Sequence, residues 1–263
     1  MATSPYVRKS IYNLSNEERQ NLRNAFQSLY EAPLVGNQSL VSEFANRYQE
    51  LANILITFGH YQRNDLLFLP WARAYFYTFE QALRKIDDSV TLPYWDYTSS
   101  QAIKEGIPSL IADPTYMVDG EECPNPLFAA LYKTPLRTFR DEAENTDGLI
   151  VARLQQDNAM VQTNFMDFGL TIYPVDIMSH VYIGDSSKDT RTAAYDPIFW
   201  FTHCQLDYSW SQWQQSNRDQ QVPASVLGAQ LKPFLLDSAS SAEAAFLTGR
   251  GVMQTTQLGY VYE

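Results

Sequence analysis

Histidine and cysteine are scarce in this chain: 263 residues hold three of the first and two of the second. Two thiols, Cys123 and Cys204, do not make a disulfide framework. Three histidines bound every metal-site argument, because a centre rich in imidazole ligands is out of reach. Basic residues are also in deficit, with 19 Lys and Arg against 30 Asp and Glu, for a net charge of −11. Duplex nucleic acid and anionic membrane surfaces both select clustered Lys and Arg, so neither is an expected partner. No apolar run reaches the roughly 18 residues that span a bilayer. The opening stretch, MATSPYVRKS, lacks the apolar core of a secretion signal, which gives a cytoplasmic expectation. Gly and Pro, 11 and 13 residues, are too few for a collagenous or low-complexity chain.

Aromatic residues are abundant instead: 17 Tyr, 14 Phe and 5 Trp, within a hydrophobic share of 45%. Such a chain can both fill a core and line a large apolar cavity. The length suits one large domain or two small ones, and the expectation is a single domain over residues 1–263.

Helical periodicity dominates. Ser15 and Glu18 form a capping box ahead of Leu22, Phe26, Leu29 and Tyr30 on one face. Residues 41–58 place Phe44, Tyr48, Leu51, Leu55 and Phe58 on another. Pro70 suits the first turn of a third helix through Trp71, Tyr75, Phe79 and Leu83. Residues 104–150 read as a long irregular connection, and periodicity is weak over 150–170. It returns from Pro174, taken as a helix start, to Tyr182, and from Asp196 to Gln215. The fold class expected is mainly α, several helices with long irregular loops.

The sharpest constellation is Asp176-x-x-x-His180. Residues four apart share a helix face, so both side chains can reach one cation. His203 lies in DPIFWFTHCQLDYSW, with Trp200, His203, Asp207 and Trp210 three or four apart. Two imidazoles and one carboxylate with open positions suit Zn or a ferrous ion; the competing reading of Asp176 and His180 is a solvated or capping pair. Arg73, Glu80 and Asp207 are candidates for a buried ion network or for support of the ligands. Cys204 diverges from His203 on a helix and reads as core. Cys123 sits in a polar turn. No phosphate loop and no Ser-His-Asp arrangement is found.

Several segments carry a resemblance. DPIFWFTHCQLDYSWSQWQ is similar to the second metal-binding segment of the tyrosinase and haemocyanin family, the type 3 copper proteins. PVDIMSHVYIGD resembles the helix before it, in which a His-Asn-x-x-His segment precedes a Gly pair. LLFLPWARAYFYTFEQAL, LPYWDYT and the closing LGYVYE match further family segments in order, over roughly residues 10–262. The resemblance implies a tyrosinase/haemocyanin-like helix bundle, with PYWDY serving packing. It also implies a departure: the first-copper ligand positions fall at Leu55, Arg63 and Ala72, none a ligand, with His60 nearby but off register. The second-copper positions fall at Asp176, His180 and His203. The Cys that forms a thioether in some members would stand at Tyr61.

Type 3 chemistry uses two adjacent coppers to hold dioxygen as peroxide, and six imidazoles to hold the coppers. The resemblance therefore implies a mononuclear, redox-silent site, with Zn as cofactor and a small aromatic molecule as substrate. Leu55, Ala72 and Phe199 are expected to line an apolar pocket beside it, and Arg63 and His60 to act as charge stabiliser or proton donor; the competing reading has Arg63 pairing with an acid at the surface. The lost first site, the short chain and the lack of a signal segment resemble cyclopenase-type members, which contract a benzodiazepinedione epoxide to a quinolone with loss of methyl isocyanate. Two alternatives stand beside this: a copper phenol oxidase recruiting His60 and Cys204, and an inactive binding scaffold.

Overall fold

Local capping fixes where the first helices begin. Ser15 Oγ accepts from the Glu18 amide at 3.1 Å and the Glu18 carboxylate accepts from the Ser15 amide at 2.7 Å, opening α1 (Asn16–Glu31). The Asn46 side chain accepts from the Gln49 amide at 2.9 Å and opens α2 (Arg47–Phe58). Pro70 lies in the first turn of α3 (Phe68–Arg84), where its missing N–H costs nothing. The computed structural model describes residues 4–34, 46–59, 66–133, 135–141, 146–235 and 246–263. Phe44 and the expected start of α2 near residue 41 lie outside them.

The remaining helices among the described residues are α4 (Ser100–Glu105), α5 (Ser109–Ala112), α6 (Asp147–Met160), α7 (Phe165–Ile183), α8 (Asp185–Lys188), α9 (Ile198–Ser216) and α10 (Ala224–Gly228). The mainly α expectation holds. Helices α3 and α9 form the centre: Phe79 stacks on Trp200 with ring centroids 3.6 Å apart, and both are fully buried. Phe26 and Tyr48 bring α1 and α2 onto the same cluster. Trp95 and Tyr97 of the PYWDY stretch are likewise buried, in keeping with a packing role.

Strands are short and paired in twos: β1 (Tyr6–Arg8) with β8 (Tyr260–Tyr262), β2 (Thr115–Val118) with β3 (Glu121–Pro124), β4 (Leu131–Lys133) with β5 (Leu136–Arg137), and β6 (Gln230–Leu235) with β7 (Phe246–Thr248). The β1–β8 pair is parallel, with Tyr6 opposite Tyr260 and Arg8 opposite Tyr262, so the two ends of the described chain meet.

Two expectations need correction. The stretch over 104–150 is not one irregular connection: it holds α5, two hairpins and the start of α6. The β2–β3 hairpin turns at Asp119-Gly120, both with positive φ (52° and 88°). Asp-Gly is the strongest short-range hairpin dipeptide, so this element was readable. Cys123 consequently sits on β3 opposite Tyr116. The second correction concerns Pro174, which lies inside α7 and does not start it. An interior proline forfeits one backbone hydrogen bond and crowds the preceding turn. The start of the helix ahead of it is anchored from outside, because Phe165 packs on Trp210 and Phe168 stacks on Trp213 at 4.5 Å. The weak periodicity over 150–170 likewise conceals most of α6 and the first turn of α7.

Candidate metal centre

Asp176 and His180 stand one turn apart on α7 and face His203 from α9. Asp176 Oδ1 is 3.1 Å from His203 Nε2 and 3.8 Å from His180 Nε2, and one donor atom from each residue lies within 4.8 Å of the others. The two rings meet edge to face at 5.0 Å.

The outward nitrogen of each ring is engaged. His203 Nδ1 lies 2.8 Å from the Phe199 carbonyl, which only accepts, so that nitrogen carries the proton and Nε2 presents its lone pair. Burial pushes His203 down to about 4, despite the opposing pull of Asp176, so its ring is neutral at physiological pH. The 3.1 Å approach of Asp176 Oδ1 is then no ion pair: two lone pairs confront each other. Asp176 Oδ1 is buried and has no hydrogen-bond partner among the described residues. A buried carboxylate oxygen left unpaired is costly, and a cation between it and the two imidazoles removes that cost. Tetrahedral Zn at bond lengths of about 2.1 Å sets its ligand atoms roughly 3.4 Å apart, between the two separations seen here. The donor set fits a divalent cation.

A cleft of about 190 Å³ opens over the three side chains. Leu55 of α2, Tyr173, Ile177 and Val181 of α7, Ala193 and Phe199 form its apolar walls, and Ser187, Lys188 and Thr190 form a polar rim. Leu55 and Phe199 thus stand where an apolar pocket was expected. Ala72 does not line this cleft; it is buried on α3. His60, Arg63 and Tyr61 lie outside the described residues. Cys204 turns away from the centre: its thiol lies 3.4 Å from the Leu92 carbonyl, and burial pushes it up to about 12. It is a core residue, not a ligand.

The ion network expected of Arg73, Glu80 and Asp207 is present and larger than expected. Arg8 bridges Glu80 at 2.8 Å and Asp207 at 3.2 Å, Arg73 pairs with Asp207, and Arg84 with Glu80. Tyr262 donates to Asp207 at 2.6 Å, and Tyr260 donates to the same carboxylate. Arg8 carries no sequence mark, since it meets its acids only through the β1–β8 pairing. Ser187, whose Oγ lies 2.8 Å from His180 Nδ1, is the other residue that spacing did not reveal.

The family description "Common central domain of tyrosinase" matches residues 45–166 and 151–216. The chain belongs to the tyrosinase family. It is 27% identical over 244 residues to "Hemocyanin 2" of Megathura crenulata, covering 85% of this chain and 6% of that protein. It is 28% identical over 185 residues to "Tyrosinase" of Streptomyces lincolnensis, covering 62% of this chain and 66% of the relative. With the "Putative tyrosinase-like protein tyr-3" of Caenorhabditis elegans the identity is 26%, over 81% of this chain and 31% of the relative. The chain therefore spans a small part of several relatives. Among solved structures, a functional unit of octopus hemocyanin superposes with a TM-score of 0.75 at 23% identity, covering 98% of this chain and 68% of that one. A tyrosinase from Burkholderia thailandensis gives 0.79 at 18% identity, covering 99% and 74%. These likenesses establish the tyrosinase-family fold, of which α7 and α9 carry the centre described above.

Proposed function

We propose that this tyrosinase-family chain is a non-redox enzyme whose single divalent cation, Zn, is held by Asp176, His180 and His203. The observation that carries the reading is the unpartnered Asp176 Oδ1 facing the lone pair of a neutral His203 at 3.1 Å. Three histidines in the whole chain cannot supply the six imidazoles of a type 3 copper pair. Bound Zn would act as a Lewis acid on a substrate oxygen. The Phe199 carbonyl fixes the His203 tautomer, and the apolar walls of Leu55, Ile177, Val181 and Phe199 receive an aromatic body and exclude water.

The reaction proposed is cyclopenase-like: a benzodiazepinedione epoxide contracts to a quinolone and expels methyl isocyanate. The aryl carbon bonds to the epoxide carbon as the C–O bond breaks, and ring contraction then releases the isocyanate. Quinolone and isocyanate together contain every atom of the substrate, and no electrons leave, so a redox-silent cation suffices. A mostly apolar cleft suits that neutral, aryl-bearing substrate.

Elemental analysis of purified protein is expected to find roughly one Zn per chain and no copper. Asp176→Ala and His203→Ala are expected to lose the metal and abolish turnover of the epoxide, while keeping the helical circular dichroism signal. Two coppers per chain with oxygen uptake on catechols, or full turnover after exhaustive chelation, would overturn the reading.

A further inference from the structure

We propose that Ser187 is the positioning residue of His180: its hydroxyl accepts from His180 Nδ1 and so turns the Nε2 lone pair toward the cation. The proposal rests on the metal reading above and extends it to a residue outside the donor set.

The two imidazoles of the centre are held differently. His203 Nδ1 meets a backbone carbonyl at 2.8 Å, an acceptor that admits one tautomer only. His180 Nδ1 meets the Ser187 hydroxyl at 2.8 Å, which can accept or donate. With Ser187 accepting, Nδ1 carries the proton and Nε2 is free to ligate, 3.8 Å from Asp176 Oδ1. Without an acceptor there, a neutral histidine reverts toward its intrinsically preferred Nε2–H form, which cannot ligate through that atom. Partners of this kind typically change metal affinity 10- to 100-fold.

Ser187 is delivered by a built turn. Helix α7 ends at Gly184, whose φ of 80° and ψ of −168° suit glycine alone, and a Cβ there would fall 2.5 Å from the Asp141 Cβ. Asp141 accepts from the Asp185 amide at 3.2 Å and from Lys188 at 2.8 Å. Phe139 and Ser186 exchange two hydrogen bonds, at 2.9 and 3.1 Å. The Ser187 amide donates to the Gly184 carbonyl at 2.9 Å, and the residue is 4% exposed. A side chain this confined presents its hydroxyl to His180 without a search among rotamers.

The test compares wild type, Ser187→Ala and Ser187→Thr. Nitrogen-15 shifts of His180 in the metal-free protein at mildly alkaline pH are expected to report Nδ1–H in wild type and in Ser187→Thr, and a shift to Nε2–H in Ser187→Ala. Competition with a chromophoric chelator is expected to show Zn bound about 10- to 100-fold more weakly by Ser187→Ala, and rescue by Ser187→Thr. Thermal melts check that the fold persists. An Nε2–H wild type, or a Ser187→Ala protein with unchanged tautomer and affinity within about twofold, overturns the assignment. A wild-type chain that takes up no Zn defeats the metal reading, while the nitrogen shifts still decide the role of Ser187.

Discussion

Asp207 is fully desolvated yet remains an anion. Burial alone would raise its carboxyl, but the guanidinium groups of Arg73 and Arg8 and the hydroxyls of Tyr260 and Tyr262 outweigh that and hold it below the usual carboxylate range. Removing the charge leaves two buried cations undercompensated, a loss of about 3–5 kcal/mol for such pairs. Asp207→Asn is therefore expected to lower the unfolding free energy by about that amount in urea titration. The sign of the pH dependence follows from the lowered value. The stabilisation is full above the carboxyl's unfolded pKa, about 3.9, and is lost as pH falls through the folded one. Acid unfolding of wild type below about pH 4 should thus be steeper than that of Asp207→Asn. Arg73, Glu80 and Asp207 stood out in the sequence because charges on apolar helix faces need partners. Arg8 did not, because its partners lie 72 and 199 residues away and only the folded chain brings them together.

Helix α1 was legible because it carries a capping box and a single apolar face, and α3 because Pro70 marks the first turn of a helix that is buried on nearly every side. Helix α7 was not. Its first two turns bury Phe165 and Phe168 on one side and expose Met166 and Leu170 on another, so no one face stands out. Pro174 then imitated a helix start. The side chains that make the helix continue, Trp210 and Trp213, belong to α9 and are invisible to local pattern. The Asp176–His180 spacing survived this error because both residues lie beyond the proline, where the periodicity was sound. If the aromatic stack holds the first turns of α7, Phe168→Ala should cost about 3–5 kcal/mol, seen as a lowered Tm. An exposed counterpart on the same helix, Leu170→Ala, should fall within about 0.5 kcal/mol of wild type. Equal losses from the two would remove the stack as the explanation.

At the scale of the molecule, strands β1 and β8 close on α9, the helix that carries His203. Strand β8 lies parallel to β1; Arg8 of β1 packs its guanidinium 3.6 Å above the Tyr260 ring, and Tyr260 and Tyr262 both donate to Asp207. Asp207 is one turn from His203 on α9, the same helix that Arg73 of α3 grips. Deleting residues 260–263 removes both phenols, exposes the Arg8 guanidinium and leaves Asp207 with its arginines alone. Such losses sum to several kcal/mol against a total stability of about 5–15 kcal/mol. The truncated chain is expected to melt far below wild type, whereas Tyr262→Phe, which removes one hydroxyl, should cost only about 1–3 kcal/mol. Because α9 is the helix thereby loosened, the truncation should also weaken Zn binding measured by chelator competition, at a temperature where the chain is still folded. Affinity equal to wild type in a folded truncated chain would mean that the clasp stabilises the molecule without setting the place of His203.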